Sequence, residues 1–210
     1  MTVNQMTVTK ALSELKLLDK RINRGIYEAE FVGVVVGDKK KVDHIDVEEF
    51  KQKVKSNYDS VVDLIAYRNK IKSAIVSSNA QTTVTIAGNT YTVAEAIERK
   101  TSIQYEQELL QRLKTYYLNA STEIDRINEN VQVRLDRSLE QMLSNDGKQD
   151  NEFINQFTEN FNKKNQAKLV DPLNIKEKIE TLETEIEDFL SEVDHELSVS
   201  NATTIIEVEC

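Results

Sequence analysis

The chain has 210 residues, of which 39% are hydrophobic and 30% are charged, with one proline and no tryptophan. This composition is typical of a helix-rich soluble protein of one large or two small domains. The formal net charge is −9, and residues 174–210 alone carry eleven acidic side chains against two lysines, so we expect no nucleic-acid partner.

The sequence also limits where the protein acts. It contains no run of about eighteen apolar residues, so no membrane span is expected. Residues Met1–Lys10 lack the apolar run of a signal peptide, and the single cysteine, Cys210, has no internal partner for a disulfide. We therefore expect no signal-directed secretion, and a reducing compartment is the simplest interpretation.

A first helix is predicted from about Thr7 to Arg24, with Gly25 at the place where a helix ends. The β-branched run Glu30–Val36 predicts a strand, and Lys41–Ile45 predicts a returning strand. Together they would form a small β insertion near residues 29–45.

A second helix is predicted to open at Asp46, with Glu49 completing a capping box, and to end near Ser78. A β-hairpin follows over residues 82–93. A turn at Gly88-Asn89 would pair Ile86 with Tyr91 and would place the threonines together on the opposite face.

Residues Ser78–Val84 are echoed by Ser200–Ile205, and in both copies a helix gives way to a strand. A hairpin alone is barely stable in water. We therefore predict that the C-terminal strand, residues 204–208, joins the hairpin as a third strand of one small sheet.

The longest predicted element is a helix from Val93 to Leu143, which starts with a capping box at Thr92 and would be about 75 Å long. Its apolar positions follow steps of three and four, typical of a helix lying along a partner helix. They are Leu113, Tyr117, Ala120, Ile124, Ile127, Val131, Leu135, Leu139 and Met142. The fold class is therefore mainly α: a single elongated domain over residues 1–210, built as an antiparallel helical bundle or coiled coil.

A short helix is predicted at residues 151–165, with Phe153, Phe157 and Phe161 on one face, and Asp171-Pro172 predicts the start of a last, acidic helix. Either this Phe-bearing helix or a second chain should cover the seam of the long helix, and we favour the second chain. The interaction candidates are the seam residues Ile124, Ile127, Val131 and Leu135 together with the three phenylalanines.

The sequence holds no recognisable catalytic constellation. Residues Gly33–Lys39 have the wrong spacing for a phosphate-binding loop, and His44 and His195 lie far apart without neighbouring metal ligands. We therefore predict no enzyme activity, no catalytic residue, no cofactor, no metal and no small-molecule substrate.

Three stretches resemble a small family of septicolysin-like coiled-coil proteins of bacteria and phages. They are Lys10–Ile22, Gly88–Lys100 and the acidic last helix running into Ser200–Thr204. The resemblance implies a helical scaffold and no catalytic residues, and residues 30–46 depart from the family pattern. The texture of the sequence also resembles a virion or assembly protein of a tailed phage.

The leading functional hypothesis is thus a non-enzymatic structural protein of a tailed-phage virion, acting through self-association or contacts with other virion proteins. The alternative is a cytoplasmic bacterial module that oligomerises through the same seams. A membrane-active toxin, which the family's description suggests, is less consistent with the polar balance of the chain.

Overall fold

The computed structural model describes residues 3–37, 41–42, 44–145 and 151–209. Within these ranges the chain is mainly α, as predicted, with five helices and six short strands. The chain divides into two compact units. Unit 1 comprises Met1–Thr101 and Asp188–Cys210, and unit 2 comprises Ser102–Glu187. A single elongated domain and a coiled-coil bundle both stay predictions.

The elements alternate short strand pairs with long helices. The helices are α1 (Val8–Glu28), α2 (Val47–Gln81), α3 (Val93–Asn145), α4 (Asn151–Asn165) and α5 (Ile175–Thr203). The strands are β1 (Val3–Thr7), β2 (Lys41–Val42), β3 (Ile45–Asp46), β4 (Thr83–Ile86), β5 (Asn89–Thr92) and β6 (Ile205–Glu209).

The first helix begins where expected but runs one turn further than predicted. The hydroxyl of Thr7 accepts a hydrogen bond from the Lys10 N–H at 3.3 Å and so caps α1. Gly25 does not end the helix. Instead it lies against α2, where a Cβ atom on Gly25 would come within 2.8 Å of Val61 Cγ2. The glycine is thus used for close helix approach and not for positive φ.

The core of unit 1 lies between α1, α2 and the β1–β6 strand pair. Its buried members are Met6, Val8, Ala11, Leu15, Leu18, Ile22, Ile71, Ile75, Ile206 and Val208. At the edge of this core the Arg68 side chain, which interrupts the apolar stripe of α2, donates to Asp19 of α1 at 3.0 Å. The stripe therefore tolerates an arginine because an acceptor lies opposite it.

The start of α2 also departs from the predicted pattern. The Asp46 carboxylate accepts from the Glu48 N–H at 2.9 Å, so Asp46 does cap the helix. Glu49 returns no bond within the described residues, so the reciprocal half of the predicted capping box is wrong. A carboxylate at the N-cap satisfies one free helix N–H without that second bond.

The predicted turn of the β4–β5 hairpin is displaced by one residue. The structure pairs Ile86 with Asn89, Val84 with Tyr91 and Thr85 with Thr90. The turn is therefore Ala87-Gly88, and both residues have positive φ, +49° and +74°. The threonines still share one face, because moving the turn by one residue shifts the pairing by two and preserves side-chain alternation.

Two contacts hold the hairpin in this register. At the turn, the Ala87 N–H donates to Glu192 Oε2 of α5 at 2.6 Å. At the other end, the Thr92 N–H donates to Glu95 Oε2 at 2.7 Å, and the Glu95 N–H donates to Thr92 Oγ1 at 3.1 Å. This is the predicted capping box, and Val93 after it is the first residue of α3. The bond from the Thr92 backbone N–H lowers the pKa of Glu95 below its usual value.

The prediction that the C-terminal strand joins this hairpin is wrong. β6 pairs antiparallel with β1 in a separate two-stranded sheet, from Val3 opposite Glu209 to Thr7 opposite Ile205. The hairpin is supported by a helix in place of a third strand. Besides the bond to Glu192, the Tyr91 ring meets Phe189 of α5 edge-on, with ring centroids 5.9 Å apart.

The two strand pairs of unit 1 are built alike. The Thr82 N–H bonds the Ser78 carbonyl and the Val93 N–H bonds the Thr82 carbonyl, each at 2.8 Å. At the β1–β6 pair, the Thr204 N–H donates to the Ser200 carbonyl at 2.9 Å, and the Val8 N–H donates to the Thr204 carbonyl at 3.0 Å. The strand registers match residue for residue when Thr92 is set on Thr7 and Thr83 on Ile205. The predicted sequence echo is therefore part of a repeated module of helix, strand pair and helix.

Two further predictions need correction. The predicted strand at Glu30–Val36 is wrong, since the structure has no strand there and none of the strands among the described residues pairs with it. Helix α5 starts at Ile175, not at Pro172. The Asp171 carboxylate still accepts from the Ile175 N–H at 2.7 Å, so it caps the helix from a preceding turn.

Candidate interaction surfaces

The predicted interaction seam lies on the part of α3 that belongs to unit 2. Ile124 and Ile127 are half-buried, whereas Val131 and Leu135 are only 3% and 2% exposed. The second pair is already covered within the chain and offers little free surface to a partner. The role of these residues as interaction sites stays a prediction.

Helix α4 lies against this seam. The guanidinium of Arg134 on α3 stands over the Phe161 ring at 5.6 Å and donates to Asn165 Oδ1 at 2.7 Å. Nearly two turns earlier on α3, Asn128 exchanges two hydrogen bonds with the backbone of Ala167, at 2.8 and 3.2 Å. The end of the Phe-bearing helix and the residues just after it therefore contact α3 beside the seam, at Arg134 and at Asn128.

The three phenylalanines differ in exposure. Phe157 and Phe161 are half-buried, and their ring centroids are 5.9 Å apart. Phe153 at the start of α4 is 46% exposed. Of these three phenylalanines, Phe153 therefore keeps the most exposed aromatic ring.

A separate apolar groove of about 400 Å³ lies between α3 and α5 in unit 2. Its walls are Leu109, Leu113, Leu173 and Leu182, and charged side chains occur only at Lys178 and Glu185. The ion pair of Lys114 with Glu183 joins the same two helices. The groove is large enough for one or two apolar side chains of a partner.

The most exposed apolar stretch of unit 1 is the segment Glu30–Val36. Val32, Val34 and Val36 are 88%, 83% and 68% exposed, and we call these three side chains the valine ridge. The alternate residues Phe31 and Val35 are only 37% and 38% exposed. This period of two is the pattern of a half-buried strand, although no strand partner is present.

The inner face of the segment rests on α2 and β2. A Cβ atom on Gly33 would lie 2.5 Å from Val42 Cγ1 and 2.8 Å from Phe50 Cε1, so the backbone is tightly seated. A cavity of about 610 Å³ adjoins it, with Val54 and Tyr58 among its apolar lining and Lys51 and Lys55 as its charged groups. The ridge therefore belongs to a segment whose backbone is in close contact with β2 and α2 at Gly33.

A polar cleft of about 520 Å³ lies between α1 and α2 in unit 1. It is lined by Arg21, Arg24 and Lys53, with Glu28 as its acidic member. These three cations make no ion pair within the ranges that the structure describes. The cleft is a weaker candidate than the ridge, because solvated arginines and lysines are common on any surface.

Comparison with protein-family models, with curated proteins and with solved structures found no match to this chain. The resemblance to septicolysin-like proteins therefore stays a prediction. Among the described residues, none of the helices is both long and apolar enough to span a membrane. The same residues contain no group of three or more potential metal ligands.

Sequence reasoning singled out the seam and the phenylalanines but not the valine ridge, which it assigned to a paired strand. The available signal was the composition of the run itself: the residues from Phe31 to Val36, four of them valines, include no polar side chain for a solvent-facing row. An ordinary half-exposed strand alternates apolar and polar residues. Valines on both faces of the run, at Val34 and at Val35 for example, indicate that both faces are covered by other parts of a protein.

Proposed function

We propose that this chain is a non-enzymatic structural or assembly protein, a component of a tailed-phage virion, which acts through contacts with other protein chains. The observation that carries the proposal is the valine ridge. Three large apolar side chains in a row, each more than two-thirds exposed, are favourable in water only when another surface covers them.

The apolar groove of unit 2 supports the same proposal independently. Leu109 and Leu173 on its walls are 53% and 62% exposed. Each of the two units thus presents an apolar feature of the kind that protein partners bury. Helices of 35 and 53 residues, α2 and α3, supply a rigid support on which such contacts can be held.

The test has two readouts. Sedimentation of the purified chain at tens of micromolar should show a species heavier than the 24.1 kDa monomer. Antibodies against the chain should label purified phage particles. Association in solution without particle labelling would move the assignment to an oligomeric module of the bacterial cytoplasm. A monomer that is also missing from particles would overturn the proposal.

A further inference from the structure

The segment Glu30–Val36 has the side chains and the exposure pattern of a strand but lacks a strand's hydrogen bonds. Within the described part of the chain, none of the backbone N–H or carbonyl groups of these residues bonds to another protein group. Every other β-branched run of unit 1 that reads as a strand, such as Thr83–Ile86 and Ile205–Glu209, is paired. Among the described residues, this one segment therefore has strand-like side chains without strand pairing of its backbone.

The segment is also held in place before any partner arrives. Its inner face packs through Gly33 on Val42 and Phe50, and Phe31 and Val35 are less exposed than the valines of the ridge. A partner strand would therefore lose little further conformational entropy in ordering it. Strand addition to such a backbone takes affinity from main-chain hydrogen bonds and specificity from alternate side chains.

We propose that this segment pairs antiparallel with the same segment of a second copy of the chain, centred on Val34. The inference rests on the proposed function and names the contact through which self-association occurs. In this register Val32 of one copy lies opposite Val36 of the other, and Val34 lies opposite Val34. Both valine ridges then join on one face, as the self-complementary surface of a two-fold dimer requires.

The charges around the segment favour the antiparallel arrangement. Glu28 and Glu30 precede the ridge, and Asp38 with the three lysines of residues 39–41 follows it in the sequence, a net charge of about +2. Antiparallel pairing sets the acidic start of one copy toward the net positive end of the other. Parallel pairing would set each end beside its like-charged counterpart, which is destabilising.

A second copy also suits the segment better than a lipid surface does. Valines alone would favour either environment, but the unpaired N–H and carbonyl groups between them would remain unsatisfied in hydrocarbon. A paired strand satisfies these groups and covers the valines in one step. The partner that fits both the exposed valines and the unpaired backbone groups is another strand with the same alternating side chains.

Cysteine cross-linking tests the register in a Cys210→Ser background. Oxidation of two facing thiols by copper phenanthroline removes two protons and two electrons and forms one disulfide. Val34→Cys should form a covalent dimer readily, and Val32→Cys mixed with Val36→Cys should cross-link more than either variant alone. The control is Val76→Cys, an exposed position on α2. Cross-linking of Val34→Cys at the Val76→Cys level would overturn the proposal.

Sedimentation separates this contact from the α3 seam. Val34→Asp changes an exposed side chain, so circular dichroism should stay unchanged while self-association weakens at least tenfold. The double variant Ile124→Asp with Ile127→Asp should associate like the wild type. If Val34→Asp associates normally and the seam variant does not, the ridge contact is wrong and the proposed assembly function survives. A monomeric wild type overturns the ridge dimer, whereas particle labelling decides the proposed function separately.

Discussion

The two strand pairs of unit 1 have the same register but are closed in different ways. β4 and β5 are joined by the two-residue turn Ala87-Gly88, whereas β1 and β6 pair residues as far apart as Gln5 and Glu207. Both keep the Thr-Val start of the following helix, at Thr7-Val8 and at Thr92-Val93. The turn is therefore not what specifies this module. The helix ends and the buried face of the strands specify it.

The largest expected effect comes from emptying that buried face. Ile86→Ala and Ile206→Ala each remove a buried isoleucine, 0% and 4% exposed, one from each strand pair. Each should lower the free energy of unfolding by about 2–5 kcal/mol, because a cavity replaces buried methyl groups. Urea unfolding followed by circular dichroism measures the loss.

The kinetics of the same two variants sharpen the comparison. Ile86→Ala should slow folding, since the local hairpin forms early, whereas Ile206→Ala should mainly speed unfolding. Stopped-flow folding and unfolding rates in urea give both limbs. An equal slowing of folding by the two variants would show that the two strand pairs form together.

A smaller effect is expected at the turn that only one strand pair possesses. Gly88 has φ +74°, and nothing lies within 4 Å of a Cβ built there. Gly88→Val should therefore destabilise the hairpin by at least about 1–2 kcal/mol, because a side chain strains the backbone at positive φ. The β-branched side chain of valine adds to this strain. Ala87→Gly is the matched control and should stabilise it, since Ala87 also has positive φ. If both variants unfold at the wild-type melting temperature, the assignment of positive φ to the turn residues Ala87 and Gly88 is wrong.

The smallest effect concerns the helix caps, where the two copies differ. Glu95 completes a capping box with Thr92, but Lys10 holds the equivalent place after Thr7. Lys10→Glu should supply the missing bond and raise stability by about 0.3–1.5 kcal/mol. Thermal unfolding at neutral pH measures the gain, and the charge-neutral Lys10→Gln separates the bond from the helix-dipole contribution.

The cap at Glu95 also predicts a pH dependence. The hydrogen bonds from Thr92 lower the pKa of Glu95 in the folded state. Its contribution is therefore complete above the pKa of the unfolded chain and is lost as the pH falls through the lower pKa of the folded one. The difference in melting temperature between wild type and Glu95→Gln should shrink from pH 7 to pH 3. A constant difference would mean that the carboxylate charge is not involved.

Local chemistry was predictable from the sequence and long-range choices were not. The capping box at Thr92 and the ranges of α3 and α4 depend on neighbouring residues alone. The hairpin turn was misplaced because both Ala87-Gly88 and Gly88-Asn89 fit a two-residue turn, and the contact at Ala87 comes from Glu192, 105 residues away. Strand β1 was missed because its partner, β6, lies at the other end of the chain.

The candidate surfaces follow the same rule. The spacing of Ile124, Ile127, Val131 and Leu135 predicted a seam but could not show that Arg134 and Asn128 would hold α4 and Ala167 against it. The valines of Glu30–Val36 predicted a strand, yet a strand requires a second backbone beside it. The match of Thr7–Ala11 with Thr92–Ala96 was a usable signal for the repeated module that the sequence analysis did not use.

The pairing of β1 with β6 has a consequence for the protein during its synthesis. The partner of Gln5 is 202 residues further along the chain, so at about 5–20 residues per second β1 waits about 10–40 seconds for its partner to be made. During that interval Met6 and Val8, which end in the buried core of unit 1, stay uncovered by β6. During this interval, the unpaired β1 strand of a nascent chain is accessible to chaperones. It is also accessible to the β6 strand of another, finished chain.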